Sequence, residues 1–245
     1  VNLFSAIGDF SYFFFRSVFI PWRLRETRYR ILRQVYEVGI NSLPIILIIA
    51  AFVGLVSIVQ TSYQVAGSMP RYIIGATVGR MVMIELGPIL TALMVSGRCA
   101  SSMAAEIGTM RVTEQIDALE IMAIDPYRFL NLPRIMGTLI ALPVLTVIAE
   151  LDALLLSGAY AHFFLDIPFS VFNYGLTHFF YAREFFGGLV KSLFFSVVIA
   201  TSGCYFGFKV RGGAREVGRA ATLSVVTASI LVLVLDFLVA LVIFG

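Results

Sequence analysis

The 245-residue chain is 59% hydrophobic and only 13% charged, with a mean hydropathy of +0.93, whereas soluble domains carry about 25% charged residues. That balance excludes an ordinary soluble fold. Long apolar runs recur without the short alternating segments of a barrel, so the chain reads as an all-α integral membrane protein. The formal net charge of +3 comes from basic residues beside these runs, which points to topology and anionic headgroups rather than nucleic acid. Cys99 and Cys204 lie near the ends of apolar runs without zinc or CxxC spacing, and read as inert thiols.

Residues 1–35 form an interfacial helical arm. Leu3, Ile7, Phe10, Phe14 and Val18 recur near helical spacing, without the basic n-region and small-residue cleavage site of a signal peptide. Pro21-Trp22 then interrupts the pattern, and Arg23, Arg25, Arg28, Arg30 and Arg33 follow. Such a helix lies among headgroups, with Trp22 as anchor. A first spanning helix is the alternative, but Asp9 and Arg16 interrupt the run early.

The remaining chain, 43–245, reads as one five-span core. The spans are expected at about 43–63, 73–105, 135–157, 185–207 and 220–244. The second is too long for one perpendicular crossing of about 20 residues. Gly87-Pro88 supplies the expected kink within it, because proline withholds a helical hydrogen bond and clashes one turn back. An aromatic stretch over about 160–183 reads as a short helix or hairpin at the outer interface.

All the basic residues except Arg71, Arg80, Arg183 and Lys191 fall in the N-terminal arm and the 98–134 and 209–219 connections. The positive-inside rule then places the N-terminus in the cytoplasm and the C-terminus on the outer side. No P-loop is present: the lysines are Lys191 and Lys209, and neither follows a glycine. Neither HExxH nor Gly-x-Ser-x-Gly occurs, and His162 and His178 lack ligand partners at metal spacing. No catalytic residue, metal or cofactor is therefore expected in this chain.

Ionisable residues within apolar spans are costly and mark candidate functional positions. Here they are Arg80, Glu85, Glu150, Asp152, Lys191 and Asp236. Glu85, Arg80, Lys191 and Asp236 are the candidate headgroup positions of a cavity suited to an amphiphile. The structural alternative pairs Lys191 with Asp236 or Glu85 as glue between helices. Ala100, Ala104 and Gly108 share one helical stripe and predict close helix packing. Beyond them, residues 112–123 predict an amphipathic helix, with Val112, Ile116, Leu119 and Ala123 on one stripe and Glu114, Asp117 and Glu120 beside it. Such a helix fits a groove on another protein; a solvated loop helix is the bland alternative.

The motifs Glu85-Leu-Gly-Pro88, Ala105-Glu-Ile-Gly-Thr-Met-Arg111, Thr113-Glu-Gln-Ile116 and Ala123-Ile-Asp-Pro126 resemble the signature of the MlaE (YrbE) permease family, and the likeness runs from about Val35 to the end. The resemblance implies a homodimeric ABC-type lipid permease of the inner membrane. Its implied partners are a cytoplasmic ABC ATPase that binds ATP and magnesium, often a small STAS-domain protein, and an MCE-domain lipid-binding protein on the outer side. It also implies that 112–123 is the coupling helix, with Glu114, Ile116, Asp117, Leu119 and Glu120 facing the ATPase. Glu85, Lys191 and Asp236 match polar positions near the lipid pathway. Many members carry arginine immediately before the glutamate, where this chain has Ile84; Arg80, one turn earlier, is the candidate substitute. Phospholipid is the expected cargo, with steroid or other hydrophobic cargo as the rival. An intramembrane enzyme and a passive channel are the remaining alternatives.

Overall fold

The computed structural model describes residues 3–18, 24–65 and 70–245. Pro21, Trp22 and Arg23, and with them the proposed interfacial anchor, lie outside the described residues. The described elements are helical throughout: α1 (Leu3–Val18), α2 (Leu24–Val38), a 3-10 turn at Ile40–Ser42, α3 (Leu43–Val65), α4 (Tyr72–Val112), α5 (Gln115–Ile121), α6 (Tyr127–Phe164), α7 (Phe169–His178), α8 (Ala182–Phe208) and α9 (Ala214–Phe244). Five candidate spans result, the first running from Thr27 to Val65 through α2, the 3-10 turn and α3. The chain is an all-α integral membrane protein.

At 41 residues, α4 is the longest helix. Its winding loosens into π turns at Val82–Leu86 and Ser96–Ala100. The first has a local cause. Pro88 cannot donate to the carbonyl one turn back, and the preceding Gly87 N–H reaches back five residues to the Val82 carbonyl. A π turn is the usual way for a helix to absorb one residue out of register.

The described contacts gather into two compact units, whose boundaries fall inside α4, α6, α8 and α9. The first comprises Val1–Asn41, Ala92–Leu142 and Leu193–Leu235; the second comprises Ser42–Thr91, Pro143–Ser192 and Asp236–Gly245.

In the first unit, α1 is amphipathic and buries one face. Phe13 packs at 5.5 Å from Tyr127 and 5.4 Å from Tyr205, while Ile116, Leu130 and Cys204 complete the same core. The Arg16 guanidinium lies 4.1 Å over the Tyr127 ring, and Asn131 Nδ2 donates to Ser17 Oγ at 3.0 Å. Tyr12 and Phe15 on the other face remain exposed. On the small-residue stripe of α4, Ala100 and Ala104 are fully buried, and glycines of α8 lie against this part of the helix. A Cβ at Gly207 would stand 2.7 Å from Ile107 Cβ, and one at Gly203 would stand 2.9 Å from the Ala100 carbonyl oxygen. Ser224 Oγ on α9 donates to that same carbonyl at 3.0 Å.

In the second unit, α3 meets α6 where Gly54 faces the Ala153 carbonyl; a Cβ there would overlap it. Ser157 Oγ bridges the pair, donating to Gly54 O at 2.9 Å and to Ala153 O at 2.7 Å. The aromatic stretch contains the short helix α7, which crosses the first turns of α4 through Gly75 and Gly175, each against the other helix's backbone. Tyr72 stacks on Phe179 at 5.9 Å and meets Tyr174 edge-on at 5.8 Å.

The α3–α6 crossing gives a direct test. Gly54→Val should force the two backbones apart and destabilise the protein by about 1–3 kcal/mol. The expected readout is a lowered thermal unfolding midpoint in detergent; an unchanged midpoint would refute the close approach.

Candidate functional site

The second unit holds one ammonium group fully withdrawn from solvent. Lys191, on α8, is 0% exposed, and its Nζ lies 2.7 Å from Glu85 Oε1 of α4 and 2.9 Å from Asp236 Oδ1 of α9. It also donates to the Ile84 carbonyl at 3.2 Å. The Asp236 contact is an ion pair whose angles are not those of a hydrogen bond, since Oδ1 accepts none.

Local sequence explains the α4–α8 part of this geometry. Pro88 has no N–H to offer the carbonyl of residue 84, so that oxygen is open to a side chain. Three residues before Lys191, Gly188 approaches the α4 backbone so closely that a Cβ would overlap the Met83 carbonyl and stand 3.0 Å from Pro88 Cγ. With this approach a lysine one turn further along reaches both Glu85 and Ile84. Desolvating an ammonium costs several kcal/mol unless it is paired and hydrogen-bonded. Two carboxylates and a carbonyl meet that demand.

The cluster is asymmetric. The Asp236 side chain is 15% exposed, whereas that of Glu85 is 44% exposed. In a membrane-spanning segment, a half-exposed carboxylate must face water, a polar headgroup or another protein surface. Glu150 of α6 packs against Gly87, two residues after Glu85 in the chain: a Cβ at Gly87 would lie 2.5 Å from Glu150 Cγ. Glu150 is 2% exposed and neither of its carboxyl oxygens has a hydrogen-bond partner among the described residues.

Arg80 does not join the cluster. Its Nε pairs with Glu184 Oε1 at 3.1 Å and its guanidinium lies 4.9 Å over Tyr181. At the position where an arginine would precede Glu85, the chain contributes the backbone carbonyl of Ile84 to Lys191 and no side-chain cation.

A family model described as Permease MlaE matches residues 31–242. The chain belongs to the MlaE permease family. The MlaE-family chain is 35% identical to a "Probable ABC transporter permease protein" of Rickettsia felis over 96% of its length and 91% of the relative's. It is 36% identical to a similarly named protein of Synechocystis, covering 87% and 81% of the two chains. Against the "Intermembrane phospholipid transport system permease protein MlaE" of Haemophilus influenzae, identity is 28% with 100% and 94% covered.

For this family member, the predicted 112–123 helix is shorter than its stripe implies. Val112 closes α4, Thr113 and Glu114 form a break, and α5 spans Gln115–Ile121. Two non-glycine residues in the left-handed region bracket it, Glu114 at φ 59 and Ala123 at φ 58, a conformation few such residues adopt. Ile116 is 1% exposed and Leu119 packs on the same aromatic core as Phe13. These two residues anchor α5 to its own chain. Glu114 and Glu120 are exposed, and Asp117 pairs with Arg111 at 2.5 Å. The most exposed apolar groups are Ile121 and Met122, at 87% and 60%, with Val112 at 40%. Of the stripe over 112–123, Ile116 and Leu119 turn inward, whereas Val112 and Ala123 are exposed.

Two stability tests follow from the cluster. Lys191→Met should cost about 3–5 kcal/mol by leaving two carboxylates uncompensated. Adding Glu85→Gln and Asp236→Asn should recover most of that loss in thermal unfolding of the purified chain. Glu150→Met, which removes two unpartnered oxygens at similar volume, should leave the unfolding midpoint unchanged or higher.

Proposed function

We propose that the chain is the membrane-spanning permease subunit of an ABC-type transporter that moves phospholipid between the inner membrane and an outer-side MCE-domain carrier. The observation that carries this reading is the Lys191 cluster, whose exposed edge is the Glu85 carboxylate. A polar group at the surface of a spanning helix, backed by a buried lysine and surrounded by apolar side chains, suits a molecule with a charged or zwitterionic head and hydrocarbon tails. Relatives named as ABC transporter permeases and as an intermembrane phospholipid transport permease support the class and the cargo. In this reading a second copy of the chain completes the cavity against which Glu85 is exposed.

The energy source is ATP hydrolysis, with ATP and magnesium held by a separate cytoplasmic ABC ATPase; a small STAS-domain protein is a further partner. The N-terminus lies in the cytoplasm and the C-terminus on the outer side, following the basic residues. The ATPase presses on α5 through Glu114, Asp117 and Glu120 together with Ile121 and Met122. Ile116 and Leu119 transmit that push to the aromatic core. From Val112 back to Glu85, the path is the continuous helix α4.

Cargo is tested by purifying the chain with its accompanying subunits and identifying co-extracted molecules by mass spectrometry. Phospholipid enriched over bulk membrane, and lost in Glu85→Lys, is the expected result. Enrichment of a steroid instead would replace the cargo assignment. Charge reversal at Glu114, Asp117 and Glu120 together should reduce ATPase co-purification severalfold, and undiminished recovery would rule out their docking role.

A further inference from the structure

We propose that a cleft in the first unit, between α2, the end of α4 and the start of α6, binds a phosphate ester anion at a site separate from the Lys191 cluster. The cleft has a volume of about 330 Å³, and Arg30, Arg33 and Arg134 line it together with Glu37 and Glu106. Two of the three guanidinium groups are matched. Arg33 Nε lies 2.9 Å from Glu37 Oε1, and Arg134 Nη2 lies 2.9 Å from Glu106 Oε2.

The charge that remains is Arg30. Its guanidinium lies 3.4 Å over the Phe129 ring, and no carboxylate pairs with it among the described residues. Stacking holds the planar fork in place without consuming its donors. Arg134 supplies a second unmet donor: it is 5% exposed, its Nη1 donates to the Leu130 carbonyl at 2.9 Å, and its buried Nε has no acceptor. Three cations against two anions leave one positive charge, which a singly charged phosphodiester would neutralise through charge-assisted hydrogen bonds.

The surroundings point to an amphiphilic source for that anion. Met110, Phe129 and Pro133 give the cleft an apolar wall. On α2, Tyr29, Leu32 and Tyr36 form an exposed apolar stripe at 76%, 66% and 55%, while Arg30, Arg33 and Gln34 of the same helix line the cleft. A helix with those two faces sits at headgroup depth, and basic pockets beside spanning helices are suited to anionic lipid heads. A free phosphate ester carries the same recognised group. The inference does not depend on phospholipid being the transported cargo.

The full chain, with the subunits that accompany it, would be placed in nanodiscs of phosphatidylcholine with a rising share of phosphatidylglycerol. Retained lipid would be counted by native mass spectrometry. Arg30→Gln should weaken phosphatidylglycerol retention about tenfold, the loss of one charge-assisted hydrogen-bond pair, and Arg30→Lys should recover only part of it. Arg219→Gln, an exposed basic residue of α9 outside the cleft, should change nothing. Displacement of the lipid by glycerol 3-phosphate would assign the site to a free phosphate ester; retention against it would assign a lipid head. Equal retention in Arg30→Gln, or equal loss in Arg219→Gln, would overturn the site. So would loss of a protein subunit from Arg30→Gln with lipid retention unchanged, which would make the cleft a protein contact.

Discussion

An ammonium group removed from water inside an apolar span has few ways to survive, and the second unit is arranged around satisfying one. Lys191 needs acceptors on every side that its helix does not supply. Glu85 and Asp236 bring charge from two other spans, and the Ile84 carbonyl brings a third contact. The contacts from α4 have covalent causes close by. Pro88 leaves the carbonyl of residue 84 without its usual helical donor, Gly87 sets the π turn that carries Glu85, and Gly188 brings α8 against α4. The Glu-Leu-Gly-Pro motif is thus more than a bend. It presents a carboxylate and an open carbonyl to the same lysine.

The first unit solves a different problem, that of holding a short helix rigidly outside the spans. Seven residues cannot stand as a helix alone, so α5 is secured by burying Ile116 and Leu119 in an aromatic core that also receives α1 and the end of α8. Left-handed residues at Glu114 and Ala123 turn the chain sharply at both ends. What remains exposed is a compact tip of acidic side chains with Ile121 and Met122. A partner that moves this tip moves a packed body rather than a loose loop.

Much of the architecture was legible because the bilayer admits so few solutions. Hydropathy located all five candidate spans but not their full lengths: the first reaches back through α2 to Thr27, the second continues to Val112, and the third runs from Tyr127 to Phe164, because the helices extend past their apolar stretches. The spacing of Ala100, Ala104 and Gly108 marks a stripe of small residues, but the glycines that lie against this part of α4, Gly203 and Gly207, are about a hundred residues away and signalled nothing there. For Lys191, the ionisable residues of the spans narrowed the partners to Glu85 or Asp236, and the fold supplies both. Arg80 shows the opposite outcome. Its depth placed it with the cluster, but its direction on the helix turns it to Glu184 and Tyr181.

The sequence by itself determined the solvent, the number of spans, the positions that had to be polar and the family, because each depends on composition, period or motif along the chain. Tertiary structure alone decided which polar residues meet, which face of α5 is buried, and that Arg30 stands over Phe129 with no carboxylate partner among the described residues. Those facts depend on helix rotation and on approach distances between segments far apart in the chain. A difference of one residue in rotation turns a side chain by about 100°, enough to exchange a buried partner for an exposed one. Glu85 is the clearest case: its charge was readable at once, whereas its division between a buried lysine and an open surface was settled only by the packing of α4, α8 and α9.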